Sequence, residues 1–270
     1  MKTRKTLESA FAGLTYQEGG SLLHQLHPIV KVVLLLSFSA AVFTVPSLSG
    51  MLLLLAFQLL GYQAAGLGFG FYLSKLRYIL IFGLIMLLAQ ALWVKQGVQL
   101  WSLEVGVLSL TLWSEGLVSG LQMALRFINV IGASYLFVAV TNPNRMAYAL
   151  MQAGLPYRGG FMLITALRFI PLFHLELAQI KSAQMAKGID LEGLSPGKLV
   201  KSVRYLLVPL VVSVLGRVDT LTVSMESRAF GLYENRTYRE DQPLTRLDQW
   251  SLAMIPLVFG FFVFYQRLKG

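Results

Sequence analysis

The sequence predicts an all-α integral membrane protein with about five transmembrane helices plus a cytoplasmic block of long helices. Three observations predict it. Only 13% of the 270 residues are charged and 56% are hydrophobic, with a mean hydropathy of +0.64. A soluble domain carries about 25% charged residues, so too little polar surface is present to cover a globule in water, and lipid must cover the rest. Apolar runs near the roughly 20 residues needed to cross a bilayer core recur along the chain. Lysine and arginine, finally, gather between particular runs and are nearly missing between others.

Met1 to Lys5 is basic, but residues 6–25 are mixed and polar, so no cleaved signal is expected. Ile29–Leu48 is the first span, with Lys31 at its entrance and Pro46 near its exit. Gly50–Gly66 is the second. A polar break carrying Lys75 and Arg77 precedes the third, Tyr78–Val94. The alternating segment from Lys95 to Ser114 carries Trp101 and Trp113, which suit an interfacial hairpin or a short helix at headgroup level. Glu115–Val140 is the fourth span. It opens with Gly116-x-x-x-Gly120, a spacing that lets helices approach closely.

Residues 1–140 thus form an N-terminal membrane domain, and the character then changes. From Thr141 to Arg246 there are thirteen lysines and arginines against eight acidic residues, among helix formers cut by Pro143, Pro156, Pro171, Pro196 and Pro209. The best apolar run here, Tyr205–Leu215, has 11 residues and reads as a buried or membrane-surface helix rather than a span. Leu247–Tyr265, within residues 247–270, is apolar enough for a fifth crossing. The basic residues before span one, between spans two and three and after span four share one side, which the positive-inside rule makes the cytoplasm. Arg267 and Lys269 then fall outside, a mild violation of that rule.

Composition excludes several chemistries. The chain has no cysteine, and His24, His27 and His174 form no ligand-spaced cluster, so neither a metal nor a cofactor is expected. Gly193-Leu-Ser-Pro-Gly-Lys198 resembles a phosphate-binding loop only loosely: it has three residues between the glycines and no Ser or Thr after the lysine. Pro196 better suits the first turn of a helix. The net charge of +10 does not imply nucleic acid, because the acidic residues interrupt any continuous basic face. Arg126 and Asn129 lie inside span four. Asn129 suits an interhelical hydrogen bond, and Arg126 either a snorkelling or hydrogen-bonded position or a polar interior. Asn235-Arg-Thr237 fits a glycosylation pattern but falls on the cytoplasmic side. The aromatic stretches Phe69–Tyr72 and Phe259–Phe264 suit packing, lipid or another membrane protein equally.

Two segments of the basic block end alike. Gln184-Met-Ala-Lys-Gly-Ile189 and Met225-Glu-Ser-Arg-Ala-Phe-Gly231 each place one cation between two small residues at the end of a helical stretch. Capped helix ends look like this, since glycine stops helices and a cation suits the C-terminal dipole. The small neighbours also leave Lys187 and Arg228 unshielded, as a plug into a partner's groove requires. Arg217, Thr220, Ser224 and Arg228 fall on one helical face, a basic stripe suited to an acidic groove.

With these features in place the sequence resembles the transmembrane T component of energy-coupling factor transporters, the family of EcfT and the cobalt-type CbiQ proteins. Leu26-His-Pro-Ile-Val-Lys31 is similar to the family's entry motif. Thr141-Asn-Pro, Leu150, Gly154-Leu-Pro156 and Ala166-Leu-Arg-Phe-Ile-Pro171 are similar to its central stretch. The family's two small-Arg-small tripeptides fall on Ala186-Lys187-Gly188 and Ser227-Arg228-Ala229, with lysine in place of the usual arginine at the first. Lysine keeps the charge but lacks the planar fork.

The resemblance implies a non-catalytic subunit in a prokaryotic plasma membrane, with the N-terminus and a 141–246 coupling-helix domain in the cytoplasm. It implies that the two tripeptides clamp two ATP-binding-cassette ATPases, as a homo- or heterodimer, and that the membrane half grips a substrate-binding S component. Closing of the ATPases then drives release of a vitamin or transition metal from the S component. A self-contained secondary transporter or channel is the alternative, and it calls for paired intramembrane carboxylates and cations that the first four spans do not contain.

Overall fold

A computed structural model describes residues 16–17, 19–67, 69–94, 96, 98–105, 108–189, 196–232 and 243–269. Met1–Lys5, the first half of the Gly193–Lys198 loop and Asn235-Arg-Thr237 lie outside the described residues. In chain order the elements are α1 (Leu22–Gln25), α2 (Pro28–Thr44), α3 (Leu48–Ala64), α4 (Phe69–Trp93), β1 (Gln99–Val105), β2 (Leu108–Trp113), α5 (Ser114–Val140), α6 (Pro143–Gln152), α7 (Tyr157–Ala186), α8 (Pro196–Glu226) and α9 (Arg246–Lys269). Apart from the one hairpin, the described elements are helical. They form two compact units, Met1–Ala149 with Gln242–Gly270, and Leu150–Asp241.

Local chemistry sets most of the boundaries. Pro28 opens α2 at its first position, where a missing N–H is harmless, and His27 caps it by accepting from the Ile29 N–H. Ser47 caps α3 through Oγ, which accepts from Gly50 N at 3.2 Å. Gly66, at φ +73°, ends α3 with Leu67 N donating to Tyr62 O at 3.2 Å. That stop lies earlier than the polar break expected around Lys75 and Arg77. Both belong to the opening turns of α4, because lysine and arginine are good helix formers and only glycine ended the preceding helix.

The alternating segment after α4 is a hairpin, not a helix. β1 and β2 pair antiparallel from Val105↔Leu108 to Gln99↔Trp113, with one irregularity between Gln99 and Trp101. A period of two in the sequence is what a two-faced ribbon requires.

Among the described residues, four helical stretches are long and apolar enough to cross a membrane: Ser114–Val140, Tyr157–Ala186, Ser202–Glu226 and Arg246–Leu268. Pro28–Thr44 and Leu48–Ala64, at 17 residues each, sit at the short end of the spanning range. Two of the four lie in the basic block. Tyr205–Leu215 is only the middle of α8, which runs 31 residues through Pro209, and α7 runs 30 residues through Pro171. The other three prolines stand at helix starts, Pro143 and Pro196 as first residues and Pro156 as an N-cap.

The polarity of the first unit is inverted relative to a water-soluble domain. Leu36, Phe43, Leu60, Leu257 and Phe261 are exposed, whereas Lys31, Gln58, Asn129 and Asp248 are buried. Lipid solvates the former, and the latter must find partners inside. α5 is the hub, packing against α2, α3 and α4, while α9 lies on α2. Phe38, Val42, Val45, Leu54 and Phe259 form an apolar cluster among these helices. Polar ties stitch α5 to α3. The Tyr62 hydroxyl donates to Gly132 O at 2.7 Å, and Asn129 Nδ2 to Met51 O at 3.2 Å. With its nitrogen turned to Asn129, the Gln58 amide donates to Asn129 Oδ1 at 3.1 Å and accepts from Ala133 N at 3.0 Å. Asn129 therefore makes the interhelical bond the sequence suggested. Arg126 lies 5.9 Å from the Phe43 ring centroid, a cation–π distance.

Candidate functional site

The two tripeptides adopt one backbone motif in one register. At the end of α7, Ile189 N donates to Gln184 O at 3.2 Å and Gly188 N to Met185 O at 2.9 Å. At the end of α8, Phe230 N donates to Met225 O at 3.0 Å and Ala229 N to Glu226 O at 3.0 Å. A six-to-one bond enclosing a five-to-two bond is the Schellman stop. Ala186 is the last residue of α7 and Ser227 follows Glu226, the last of α8; Lys187 and Arg228 hold the cap position of the motif, and Gly188 and Ala229 are its left-handed residues, at φ +77° and +53°. All six side-chain positions are exposed, while the next residues, Ile189 and Phe230, are half-buried. The motif thus pins an apolar residue behind each cation and leaves the cation pointing off the helix end. Among the described residues neither Lys187 nor Arg228 has an ion-pair partner.

Glycine adopts the left-handed region freely, but alanine there meets its own Cβ against the following carbonyl, at roughly 1–2 kcal/mol. Ala229 holds this conformation because Phe230 is anchored: its ring lies 4.5 Å from Phe161 and 5.8 Å from Tyr157, centroid to centroid. Ala229→Gly is therefore expected to raise stability by about 0.5–1 kcal/mol, after subtracting the extra unfolded-chain freedom of glycine. Gly188→Ala should lower it by a similar amount. Thermal midpoints of the purified variants check both signs, and equal midpoints would contradict the assigned backbone.

α7 and α8 form an antiparallel pair, and its ties fix where the tripeptides lie. Gln184 Nε2 donates to Tyr205 O at 3.2 Å near one end. Midway, Glu176 accepts from Ser213 Oγ at 2.7 Å and from the Arg217 guanidinium in an ion pair. At the far end Phe230 meets Tyr157 and Phe161. Lys187 and Arg228 therefore stand at opposite ends of the pair, about 45 Å apart by the helical rise over the 30 residues of α7.

One expectation about this surface is corrected. The stripe Arg217, Thr220, Ser224, Arg228 is not a continuous basic face. Arg217 is turned into the helix pair by Glu176, and Thr220 Oγ1 and Ser224 Oγ donate back to Gly216 O and Thr220 O at 3.0 and 2.8 Å. Helical spacing placed the residues on one side but could not show which neighbour that side meets. The ties through Glu176, Tyr157 and Phe161 are tertiary and are not legible in the sequence. Their one signal was the spacing of four in Tyr157/Phe161 and Ser213/Arg217. Among the described residues no cluster of His, Cys, Asp or Glu is arranged to hold a metal ion.

Comparison with known proteins follows the same lines. The family model CbiQ, described as a cobalt transport protein, matches residues 19–239. Proteins named energy-coupling factor transporter transmembrane protein EcfT are similar over most of their length. The one from Bacillus subtilis is 30% identical over 260 residues, covering 93% of this chain and 96% of the relative. That from Acidaminococcus fermentans is 30% identical over 251 residues, covering 90% and 92%. That from Listeria innocua is 30% identical over 246 residues, covering 88% and 89%.

Proposed function

This chain belongs to the EcfT/CbiQ family of membrane transport components, and on that premise we propose that it is the coupling subunit of an energy-coupling factor importer. Its two tripeptides, Ala186-Lys187-Gly188 and Ser227-Arg228-Ala229, are the contacts with two cytoplasmic ATP-binding-cassette ATPases. Its 1–140 membrane helices, with the C-terminal helix, grip a small membrane S component that carries the substrate, a vitamin or a transition metal ion. The 141–246 block faces the cytoplasm, with the exposed apolar side chains of α8 turned to the membrane surface. The chain itself carries out no chemistry: ATP hydrolysis belongs to the partners.

The observation that supports this reading best is the pairing of the tripeptides. One exposed cation on a rigid cap stands at each end of a single helix pair that is tied at both ends and in the middle. When two ATPases close on ATP, grooves engaging these ends move toward each other, and packed helices pass the displacement on as units. Specificity for the cargo stays with the S component, which leaves the coupling subunit indifferent to it.

The cysteine-free sequence supplies a clean test. Lys187→Cys and Arg228→Cys, each the sole thiol in the chain, are expected to cross-link to co-expressed ATPase subunits through a short bismaleimide. A sole cysteine at exposed Val212, midway along the helix pair and about 24 Å from Arg228 by helical rise, is expected not to. If neither cap position cross-links in membranes that carry out uptake, the assignment of the tripeptides is wrong.

A further inference from the structure

In the first unit a polar cavity of about 220 Å³ opens at one end of the helix bundle, where α2, α6 and α9 begin and α5 ends. The caps of all three starting helices line it: His27, Asn142 and Thr245. Each of these N-termini directs a partial positive charge toward it. Asn142 Oδ1 accepts from the N–H groups of Asn144 and Arg145 at 2.9 and 3.4 Å. Thr245 and Asp248 form a reciprocal capping box, Thr245 N donating to Asp248 Oδ2 at 3.0 Å and Asp248 N to Thr245 Oγ1 at 3.2 Å. Lys31 and Arg145 complete the lining that matters.

Among the described residues the charges of this cavity do not balance. Asp248 is the one carboxylate that they contribute to its lining, and its oxygens are already engaged. Oδ1 accepts from His27 N at 3.2 Å, and Oδ2 from the Thr245 hydroxyl at 2.6 Å in addition to the capping bond. Lys31, 5% exposed, donates among the described residues to two carbonyls, His24 O at 3.1 Å and Val140 O at 2.8 Å, and none of these residues takes up its third N–H or pairs with its charge. Arg145 brings a second cation. The His27 ring, also 5% exposed, shows what is missing. Its Nδ1 accepts from Ile29 N at 3.3 Å, so Nε2 carries the hydrogen, and that buried donor has no partner among the described residues. A buried N–H without an acceptor is rare. His27 belongs to the lining of a cavity that also holds two cations and three helix N-termini.

We propose that this cavity binds the phosphate of an anionic phospholipid headgroup. A phosphate supplies acceptor oxygens for His27 Nε2, Lys31 and Arg145 together, and helix N-termini are suited to it. The lipid is favoured over a free ion by the surroundings. The cavity lies at the end of α5 and the start of α9, two helices long and apolar enough to cross a membrane, where headgroups would stand. Beside it, in the first turns of α9, Leu247 and Trp250 are 78% and 66% exposed, an apolar and aromatic flank along which acyl chains can run.

The test uses the full chain purified in a mild detergent, titrated with phosphatidylglycerol, with phosphatidylcholine, or with inorganic phosphate at millimolar concentration. The readouts are thermal midpoint and lipid retention by native mass spectrometry. Phosphatidylglycerol is expected to be retained and to raise the midpoint, whereas the other two additives have little effect. Arg145→Gln, at an exposed rim position that disturbs no packing, is expected to weaken phosphatidylglycerol binding about tenfold. His27→Phe, which removes the donor, should weaken it further if the variant folds. Equal retention of phosphatidylglycerol and phosphatidylcholine, or unchanged affinity in Arg145→Gln, overturns the proposal. Equal stabilisation by inorganic phosphate overturns the assignment to lipid.

Discussion

Reversing both cap cations, Lys187→Glu with Arg228→Glu, is expected to abolish ATP-driven uptake and strip the ATPases from the purified complex, while the chain itself stays folded. The structural cost is small because both side chains are exposed. Each reversal gives up a favourable cation at a helix C-terminus, roughly 0.3–1 kcal/mol in an exposed setting. The cost to a charge-complementary interface is much larger. Replacing a desolvated cation that faces a carboxylate leaves two like charges, and losses of about 2–5 kcal/mol per pair are usual. That weakens each contact about thirtyfold to several thousandfold. The two changes are not equivalent. Arg228 can meet a carboxylate with two parallel bonds, and Lys187 only as a point charge. Arg228→Glu alone should therefore cost more than Lys187→Glu alone, and Lys187→Arg should tighten retention at the first end. Co-purification at several salt concentrations, beside uptake in the same vesicles, measures all four variants. A double variant that still retains its ATPases and still drives uptake would refute the roles given to the tripeptides.

The feature behind that prediction was only half visible in the sequence. Two cations flanked by small residues before a glycine can be read directly, as can the fact that both close long helices. Their identical register could not. In the first tripeptide the glycine is the left-handed residue itself, and in the second that position is Ala229, with Gly231 two residues beyond it. Pattern matching on glycine would set the second stop at the wrong residue. What decides it is tertiary, the docking of Phe230 on Tyr157 and Phe161, which a linear pattern of local propensities does not contain. The same limit explains Arg217. Its helical face was legible, but its partner, Glu176, lies 41 residues earlier on another helix.

The fold divides in a similar way. Runs of apolar residues marked the helices of the first unit, because lipid on one side and neighbouring helices on the other both demand such side chains. Hydropathy failed at the prolines. Pro171 and Pro209 break a sliding apolar window without breaking α7 or α8, since a proline removes one backbone bond while the bonds on either side hold the rod. The polar break before the third span failed for the opposite reason, as Lys75 and Arg77 are unwelcome in lipid but comfortable in a helix. The cavity at the ends of α2, α6 and α9 was out of reach altogether. Its residues come from positions 16 to 248, and its capping box, Thr245-x-x-Asp248, is a short motif beside an apolar run.

Gly120→Leu is expected to separate α4 from α5 and to lower the stability of the first unit by about 3 kcal/mol or more. A Cβ at Gly120 would stand 2.8 Å from Leu87 O and 3.2 Å from its Cα, and one at Gly116 would stand 2.9 Å from Val94 O. These obstacles are backbone atoms of a helix, which move only if α4 moves as a whole. One turn further on, Ala124 completes the row, its Cβ within 3.6 Å of where a Cβ on Gly83 would lie. Such a surface of small residues is what holds helices together in lipid, where apolar side chains gain nothing by leaving the solvent and close packing must supply the attraction. Overpacking a soluble core typically costs about 1–3 kcal/mol, and a leucine lodged against a backbone belongs at or above the upper end. Gly120→Ala should fall between leucine and the wild type, because its Cβ, 2.8 Å from a backbone oxygen, still displaces α4 but brings no further side-chain atoms. Gly216, in the middle of α8, is the matched control. Nothing lies within 4 Å of a Cβ there, so Gly216→Ala gains only helix propensity and should stabilise by about 0.5–1 kcal/mol. Melting midpoints in detergent for the three variants separate packing from propensity. If Gly120→Leu melts with the wild type, α4 and α5 do not meet along this row, and the hub role of α5 falls with it.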